Sequence, residues 1–150
     1  MRPHEQPPVD TILSRLRDHD RQFRFWFDGL RNSDPTFAAA SVLHADDRGE
    51  WQAAVYLLTG CHQAWAALGP EVLADGSIGP VVDELDHGRR GWSSSERLLL
   101  RWAAHFWDVG ISEVSFPCCF DESNFRRWVT ACHLYKNLAP QPEDINGGVL

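Results

Sequence analysis

Cysteine and histidine are the residue types in this chain best suited to chemistry. Thiolate sulfur and imidazole nitrogen bind zinc, and a thiolate beside a histidine can act as a nucleophile. The candidates for a metal centre are Cys118, Cys119, Cys132, His133 and His105. A zinc site usually takes two pairs of ligands, each pair spaced by two to four residues. The adjacent residues here lack that spacing, so a metal protein stays an alternative, and we expect no cofactor.

A second chemical option is the pair Cys61 and His62, close to a predicted helix start, where the pKa of a thiol can fall. No neighbouring residues complete a catalytic set around this pair. The phosphate-binding patterns G-x-x-x-x-G-K-[ST] and G-x-G-x-x-G are absent from the sequence. A small enzyme is therefore less favoured than a protein without catalytic activity.

Tryptophan and arginine point instead to protein binding. Seven tryptophans exceed what the core of a 150-residue domain needs, and tryptophan and arginine are enriched at interface hot spots. Trp92 comes just before a strongly predicted helix over residues 94–108. Arg97, Arg101 and His105 share one polar stripe of that helix. These four residues are our candidates for partner contact on the helix.

Acidic residues supply a second candidate surface. The formal net charge is −7, and residues 49–88 contain no lysine or arginine. An acidic face can meet a basic partner or mimic a nucleic acid, whereas binding to nucleic acids or to anionic membranes needs clustered basic residues. We expect no nucleic-acid or membrane partner. The acidic candidates for partner contact are Glu71, Asp75, Asp83, Glu84 and Asp86.

The helix over 94–108 has the clearest signals in the chain. Ser93 followed by Glu96 fits a capping box, and Gly110 is placed to end the helix in a left-handed conformation. Leu99, Trp102 and Phe106 belong to apolar stripes that cover most of its circumference. Such a helix must be covered by others. It is therefore predicted to be the buried central helix of the domain.

The remaining apolar periodicity predicts an all-α fold, a compact single-domain bundle of about six or seven helices. A flexible Pro-rich arm is expected over 1–9, one helical domain over 10–139 and a flexible tail over 140–150. Asp10 is predicted to cap the first helix, Gly69-Pro70 to stop the fourth, and 111–116 to form an extended connection. The other predicted helices are 11–30, 35–44, 50–59, 61–68, 77–86 and 122–138. Asp34-Pro35 is the predicted start of the second helix, and Asp121 is predicted to cap the last one.

The cellular compartment is predicted from two absences in the sequence and from its cysteines. No apolar run reaches the roughly 18 residues of a membrane span. The N-terminal residues lack the apolar region of a signal peptide. Four cysteines without a secretion signal are then expected as reduced thiols in the cytoplasm. Only one of fourteen basic residues is lysine, a bias typical of a GC-rich bacterial genome.

Four segments together resemble a family of small uncharacterised bacterial helical proteins. The segments are His-Asp-Arg-Gln-Phe at 19–23, Ala-Val-Tyr-Leu-Leu-Thr-Gly at 54–60, Ser-Ser-Ser-Glu-Arg-Leu-Leu-Leu-Arg-Trp-Ala at 93–103 and Phe-Asp-Glu-Ser-Asn-Phe at 120–125. The resemblance implies an all-helical fold and carries no activity with it.

The leading functional hypothesis is a cytoplasmic protein–protein interaction module, such as an adaptor, inhibitor or regulatory subunit. It rests on the acidic middle of the chain, the surplus of tryptophan and the lack of a catalytic set. The alternatives are a small Cys/His metal protein or enzyme, and an acidic mimic of nucleic acid.

Overall fold

A computed structural model describes residues 9–42, 48–88, 90–108, 110 and 113–140, apart from the side chains of 9–16 and 48. These residues form seven α-helices and no β-strand, which confirms the predicted all-helical bundle. The helices are α1 (Val9–Ser33), α2 (Pro35–Ser41), α3 (Arg48–Gly60), α4 (His62–Asp75), α5 (Gly79–His87), α6 (Ser94–Trp107) and α7 (Glu122–Lys136).

The most enclosed helix is α3. Every residue from Trp51 to Leu58 is buried, so this stretch is covered around its whole circumference. α6 and α7 pack along it most extensively, and α2 and α4 cover the rest. The composition of residues 51–58 explains this position, because every side chain there except Gln52 is aliphatic or aromatic.

The helix predicted to be central is α6, and its capping box is present. Ser93 Oγ accepts from the Glu96 backbone N–H at 3.1 Å, and Glu96 Oε1 accepts from the Ser93 N–H at 2.9 Å. Leu99 and Phe106 are buried against the core. Trp102 is only partly buried, and the arginine stripe faces solvent. α6 is thus an amphipathic helix whose inner face packs on α3.

Two side chains of α3 complete the hydrogen bonding of α2. A helix leaves its last carbonyl groups without partners within the helix. Trp51 Nε1 donates to the Ala40 carbonyl at 2.9 Å, and Gln52 Nε2 donates to the Ser41 carbonyl at 2.6 Å. The short helix α2 is therefore held by side chains that come from a different helix.

The predicted stop at Gly69-Pro70 is wrong, because α4 runs through both residues to Asp75. Gly69 serves close packing instead: a Cβ there would lie 2.7 Å from the Trp65 ring. Continuing the helix buries Val72, which offsets the hydrogen bond lost at the proline. The helix ends at Gly76, which adopts a left-handed φ of 68° and donates to the Val72 carbonyl.

Several other predicted helix ends differ from the structure. α1 begins at Val9, so Asp10 lies inside the helix rather than at its cap. α5 starts at Gly79 rather than at residue 77, and α3 begins at Arg48, two residues before the predicted start at 50. α6 ends at Trp107 with an extended Asp108 at its C-cap, so Gly110 is not the capping residue. α7 ends at Lys136, where Asn137 takes a left-handed conformation.

Residues 1–8 of the predicted arm, most of the tail over 140–150 and the last two residues of the helix predicted over 35–44 lie outside the described residues. Val9, predicted as part of the arm, belongs to α1, and α2 ends at Ser41. The described part of the predicted connection, 113–116, has no regular secondary structure. None of the helices in the described part of the chain combines the length and apolar content needed to cross a lipid bilayer.

Candidate functional site

Three of the predicted partner-binding residues come together at one groove. Trp92, Arg97 and Arg101 line an open cavity of about 510 Å³ between α6 and the segment that follows it. The remaining lining residues are Ser94, Leu98, Ser115 and Cys119. We call this cavity the α6 groove.

The charge of the α6 groove comes from two arginines. Arg97 and Arg101 are exposed and lie one helical turn apart. Within the described part of the chain, neither guanidinium group makes an ion pair or a side-chain hydrogen bond. Among the described residues that line the groove, none is acidic. A guanidinium group can bind a carboxylate through two parallel hydrogen bonds, so this groove suits an anionic group.

One wall of the α6 groove is Trp92, which is held from behind by Glu84 of α5. Trp92 Nε1 donates to Glu84 Oε1 at 3.0 Å, and Arg90 Nη1 donates to Glu84 Oε2 at 2.8 Å. Only 10% of the Glu84 side chain is exposed. Glu84 therefore orients the indole ring of Trp92. In the sequence, Glu84 is assigned to the acidic surface because of its charge alone, and the structure gives it this supporting position instead.

The opposite wall of the α6 groove is the segment 113–120. Trp102 Nε1 donates to the Ser115 carbonyl at 2.9 Å and so ties this segment to α6. Within this segment Pro117 and Phe120 are buried, and the Phe120 N–H donates to the Pro117 carbonyl at 3.2 Å in a tight turn. The segment is thus anchored at three points despite its lack of regular structure.

The other predicted contact residues lie elsewhere. His105 is partly buried further along α6, with its ring edge-on to Trp102 at 5.4 Å between centroids. Glu71 and Asp75 are exposed one turn apart on α4, and Asp83 and Asp86 are exposed on α5. Since Glu84 is withdrawn from solvent, these four carboxylates make up what is left of the predicted acidic set.

The described cysteines and histidines form no cluster that could bind a metal ion. Within the described residues, no three His, Cys, Asp or Glu side chains lie close enough together to hold a metal ion. His133 Nδ1 is 3.1 Å from the Leu138 carbonyl. Burial raises the pKa of the Cys132 thiol to about 11. Cys132 is therefore protonated near neutral pH, which is unfavourable for a nucleophile or a metal ligand.

This pKa predicts a selective pattern of thiol labelling. At pH 8, a thiol with a pKa of about 11 has about one hundredth of the thiolate of a thiol at the ordinary 9.0. With iodoacetamide and peptide mapping by mass spectrometry, exposed Cys118 and Cys119 should react first, and Cys132 far later. Raising the pH to 10 should speed labelling of Cys132 about a hundredfold. If Cys132 were labelled at pH 8 as fast as Cys118 and Cys119 are, that result would contradict the raised pKa of the Cys132 thiol.

Among the described residues, an arginine of α7 makes the most extensive side-chain network, and sequence reasoning missed it. Arg127 Nε donates to the Tyr56 carbonyl at 2.6 Å. Its Nη2 donates to Asp34 Oδ2 at 2.9 Å and to Thr59 Oγ1 at 2.8 Å. The guanidinium group also stacks 3.8 Å from the centroid of the Tyr56 ring. We call these contacts the Arg127 clamp.

The Arg127 clamp joins three elements. Asp34 also caps α2 by accepting from the Phe37 N–H at 3.0 Å, and Tyr56 and Thr59 lie in the last turns of α3. Burial raises the pKa of the Tyr56 hydroxyl, and the positive charge of Arg127 opposes this rise. Asp34-Pro35 was recognisable from the sequence as a helix start. Its partner is 93 residues away along the chain, and no local pattern marks it.

Comparison of the chain with protein-family models, with curated proteins and with solved structures finds no match.

Proposed function

We propose that this protein is a protein–protein interaction module whose α6 groove binds an acidic segment of a partner protein. One observation carries the proposal: two guanidinium groups without ion-pair partners in the described structure line the same groove as a fixed tryptophan. Tryptophan and arginine are the side chains that most often dominate interface energies. The proposed binding needs no cofactor.

The charge of the whole chain makes the α6 groove selective. The net charge of −7 repels acidic chains from most of the surface. An acidic segment is attracted where Arg97 and Arg101 dominate the local field. Both side chains are exposed, so the attraction should weaken as salt rises and the charges are screened. The proposed partner is therefore a protein segment with neighbouring carboxylates.

The cytoplasm is the proposed compartment. The four cysteines are free thiols, and Cys118 and Cys119 are exposed. Exposed thiols persist in reducing compartments and tend to oxidise outside them. This supports the sequence-based prediction, and localisation of a tagged protein in the source cell would test it.

A displayed library of random peptides, selected against the immobilised protein, tests the proposed function. Bound peptides should be enriched in Asp and Glu, and raising the salt should release them. Arg97→Glu combined with Arg101→Glu should abolish the acidic enrichment and weaken individual peptides at least tenfold, since a charged hydrogen bond contributes roughly 1.5–3 kcal/mol.

The matched control is Arg17→Glu combined with Arg21→Glu. These arginines are also exposed, also one turn apart, and lie on α1. The control makes the same change in net charge away from the α6 groove, so it should retain the acidic peptides. Equal loss in both double variants would show that only the overall charge matters and would reject the groove as the binding site. A wild-type selection without acidic enrichment would reject it as well.

A further inference from the structure

Beside the α6 groove lies a cluster of aromatic side chains that the proposed function does not yet use. Phe116 contacts Phe125 and Trp128, with ring centroids 5.9 and 5.8 Å apart. Phe125 and Trp128 are 5.7 Å apart, and Trp128 lies 5.2 Å from Trp102 of α6. We call Phe116, Phe125 and Trp128 the aromatic patch.

The aromatic patch is open to solvent at its outer end. Phe116 is 64% exposed, although the rings beside it are partly covered. Trp128 Nε1 is buried and has no hydrogen-bond partner among the described residues. A buried indole N–H normally finds a partner, so this group is a donor for which the described fold supplies no acceptor.

The aromatic patch continues directly from the α6 groove. Ser115 lines the groove and the next residue, Phe116, belongs to the patch. On α6, Arg101 lines the groove and the next residue, Trp102, packs on Trp128 of the patch. The α6 groove and the aromatic patch are therefore adjacent on both elements that form the site, and the basic residues of the groove come from α6.

We propose that the aromatic patch is the second half of the docking surface and receives a large apolar side chain from the same acidic segment. The inference rests on the proposed function and specifies its ligand: carboxylates at Arg97 and Arg101, with an aromatic or aliphatic anchor close to them in the same segment. The anchor covers Phe116, which gives the exposed ring an apolar neighbour and supplies binding energy that salt does not screen.

The same peptide selection separates this inference from the proposed function. Wild-type protein should enrich peptides in which an apolar residue lies near the acids. Phe116→Ala should keep the acidic enrichment and lose the apolar preference. Phe25→Ala is the matched control, because Phe25 is 83% exposed on α1 and belongs to no aromatic cluster in the described structure. It should behave like the wild type.

Affinities of three synthetic peptides give the quantitative test. One is a selected peptide, the second has its apolar anchor replaced by Ser, and the third has its acids replaced by amides. Phe116→Ala should weaken the first at least tenfold and leave the second unchanged. In protein labelled with 5-fluorotryptophan, the ¹⁹F resonance of Trp128, identified with Trp128→Phe, should shift with the first peptide only.

Each of the other possible results would contradict either the proposed function or the role of the aromatic patch. If Phe116→Ala binds all three peptides like the wild type while the Arg97/Arg101 double variant binds none, the aromatic patch is not part of the site and the proposed function stands. If Phe116→Ala loses binding but the double variant does not, the charge-based function is rejected. Equal losses in Phe116→Ala and Phe25→Ala reject a specific role for the patch. Because Phe116 is exposed, its truncation should leave the thermal transition of the fold unchanged.

Discussion

Replacing Arg127 by alanine is expected to lower the free energy of unfolding by about 3 kcal/mol, the low end of the range for breaking a buried ion pair. The change leaves the Asp34 carboxylate without its cation and removes one of two side-chain donors to the Tyr56 carbonyl, the other being the Thr59 hydroxyl. The remaining 18% exposure of the Arg127 side chain keeps the loss from being larger. Urea denaturation followed by circular dichroism measures it.

The adjacent arginine is the control. Arg126 pairs with Glu122 one turn away, and both side chains are almost fully exposed. Such a surface pair contributes about 0.5 kcal/mol or less to the free energy of unfolding. Arg126→Ala should therefore barely change the urea concentration at the midpoint of unfolding. The two variants lose the same charge from neighbouring positions on one helix. Equal midpoints would contradict the Arg127 clamp as a stabilising network.

Replacing Gly60 by alanine is expected to destabilise the protein by about 2 kcal/mol, as for overpacking a tight site. A Cβ at this position would overlap Nε and Cδ of Arg127. An arginine side chain usually moves aside, but here hydrogen bonds to three acceptors and the contact with the Tyr56 ring hold it in place. The methyl group therefore has to displace the whole clamp. The same urea denaturation measures the loss.

A double-mutant cycle identifies the cause of this loss. With Arg127→Ala already present, the obstruction is gone and Gly60→Ala should cost little or nothing. At Gly29 of α1 an added Cβ meets no atom within 4 Å, so Gly29→Ala should stabilise the protein by roughly 0.5–1 kcal/mol through helix propensity. A Gly60→Ala loss that is the same with and without Arg127 would mean that the clash is not its origin.

The Arg127 clamp also bears on the proposed binding surface. Arg127 holds α7 against the end of α3, and the next residue, Trp128, packs on Trp102 of α6. The position of the aromatic patch relative to the α6 groove therefore depends on how α7 is fixed. A destabilised Arg127→Ala variant should bind the selected peptides less well than an equally destabilised variant with an intact clamp.

Local signals in the sequence predicted the helices and several of their ends. The Ser93–Glu96 capping box, the Asp34-Pro35 start and Asp121 at the start of α7 all appear as expected. These signals succeed because each involves residues no more than three positions apart. The stop at Gly69-Pro70 failed because the packing of Trp65 and Val72 against the rest of the fold outweighs a local preference.

The site was predictable only in part. The polar stripe of α6 follows from helical periodicity, so Arg97 and Arg101 were identified together, and Trp92 was singled out as the residue before the cap. The opposite wall, the role of Glu84 and the aromatic patch were not identified. Each depends on which helices become neighbours, and a single sequence contains no direct signal for that.

Residue order alone was enough to establish the helical class, the amphipathic stripes and the caps, because these depend on interactions within one or two turns. The packing of the helices decided that α3 is the enclosed helix, that Glu84 supports Trp92 and that Arg127 joins α2, α3 and α7. Those outcomes depend on contacts between residues many positions apart, whose energies exist only once the chain has brought them together.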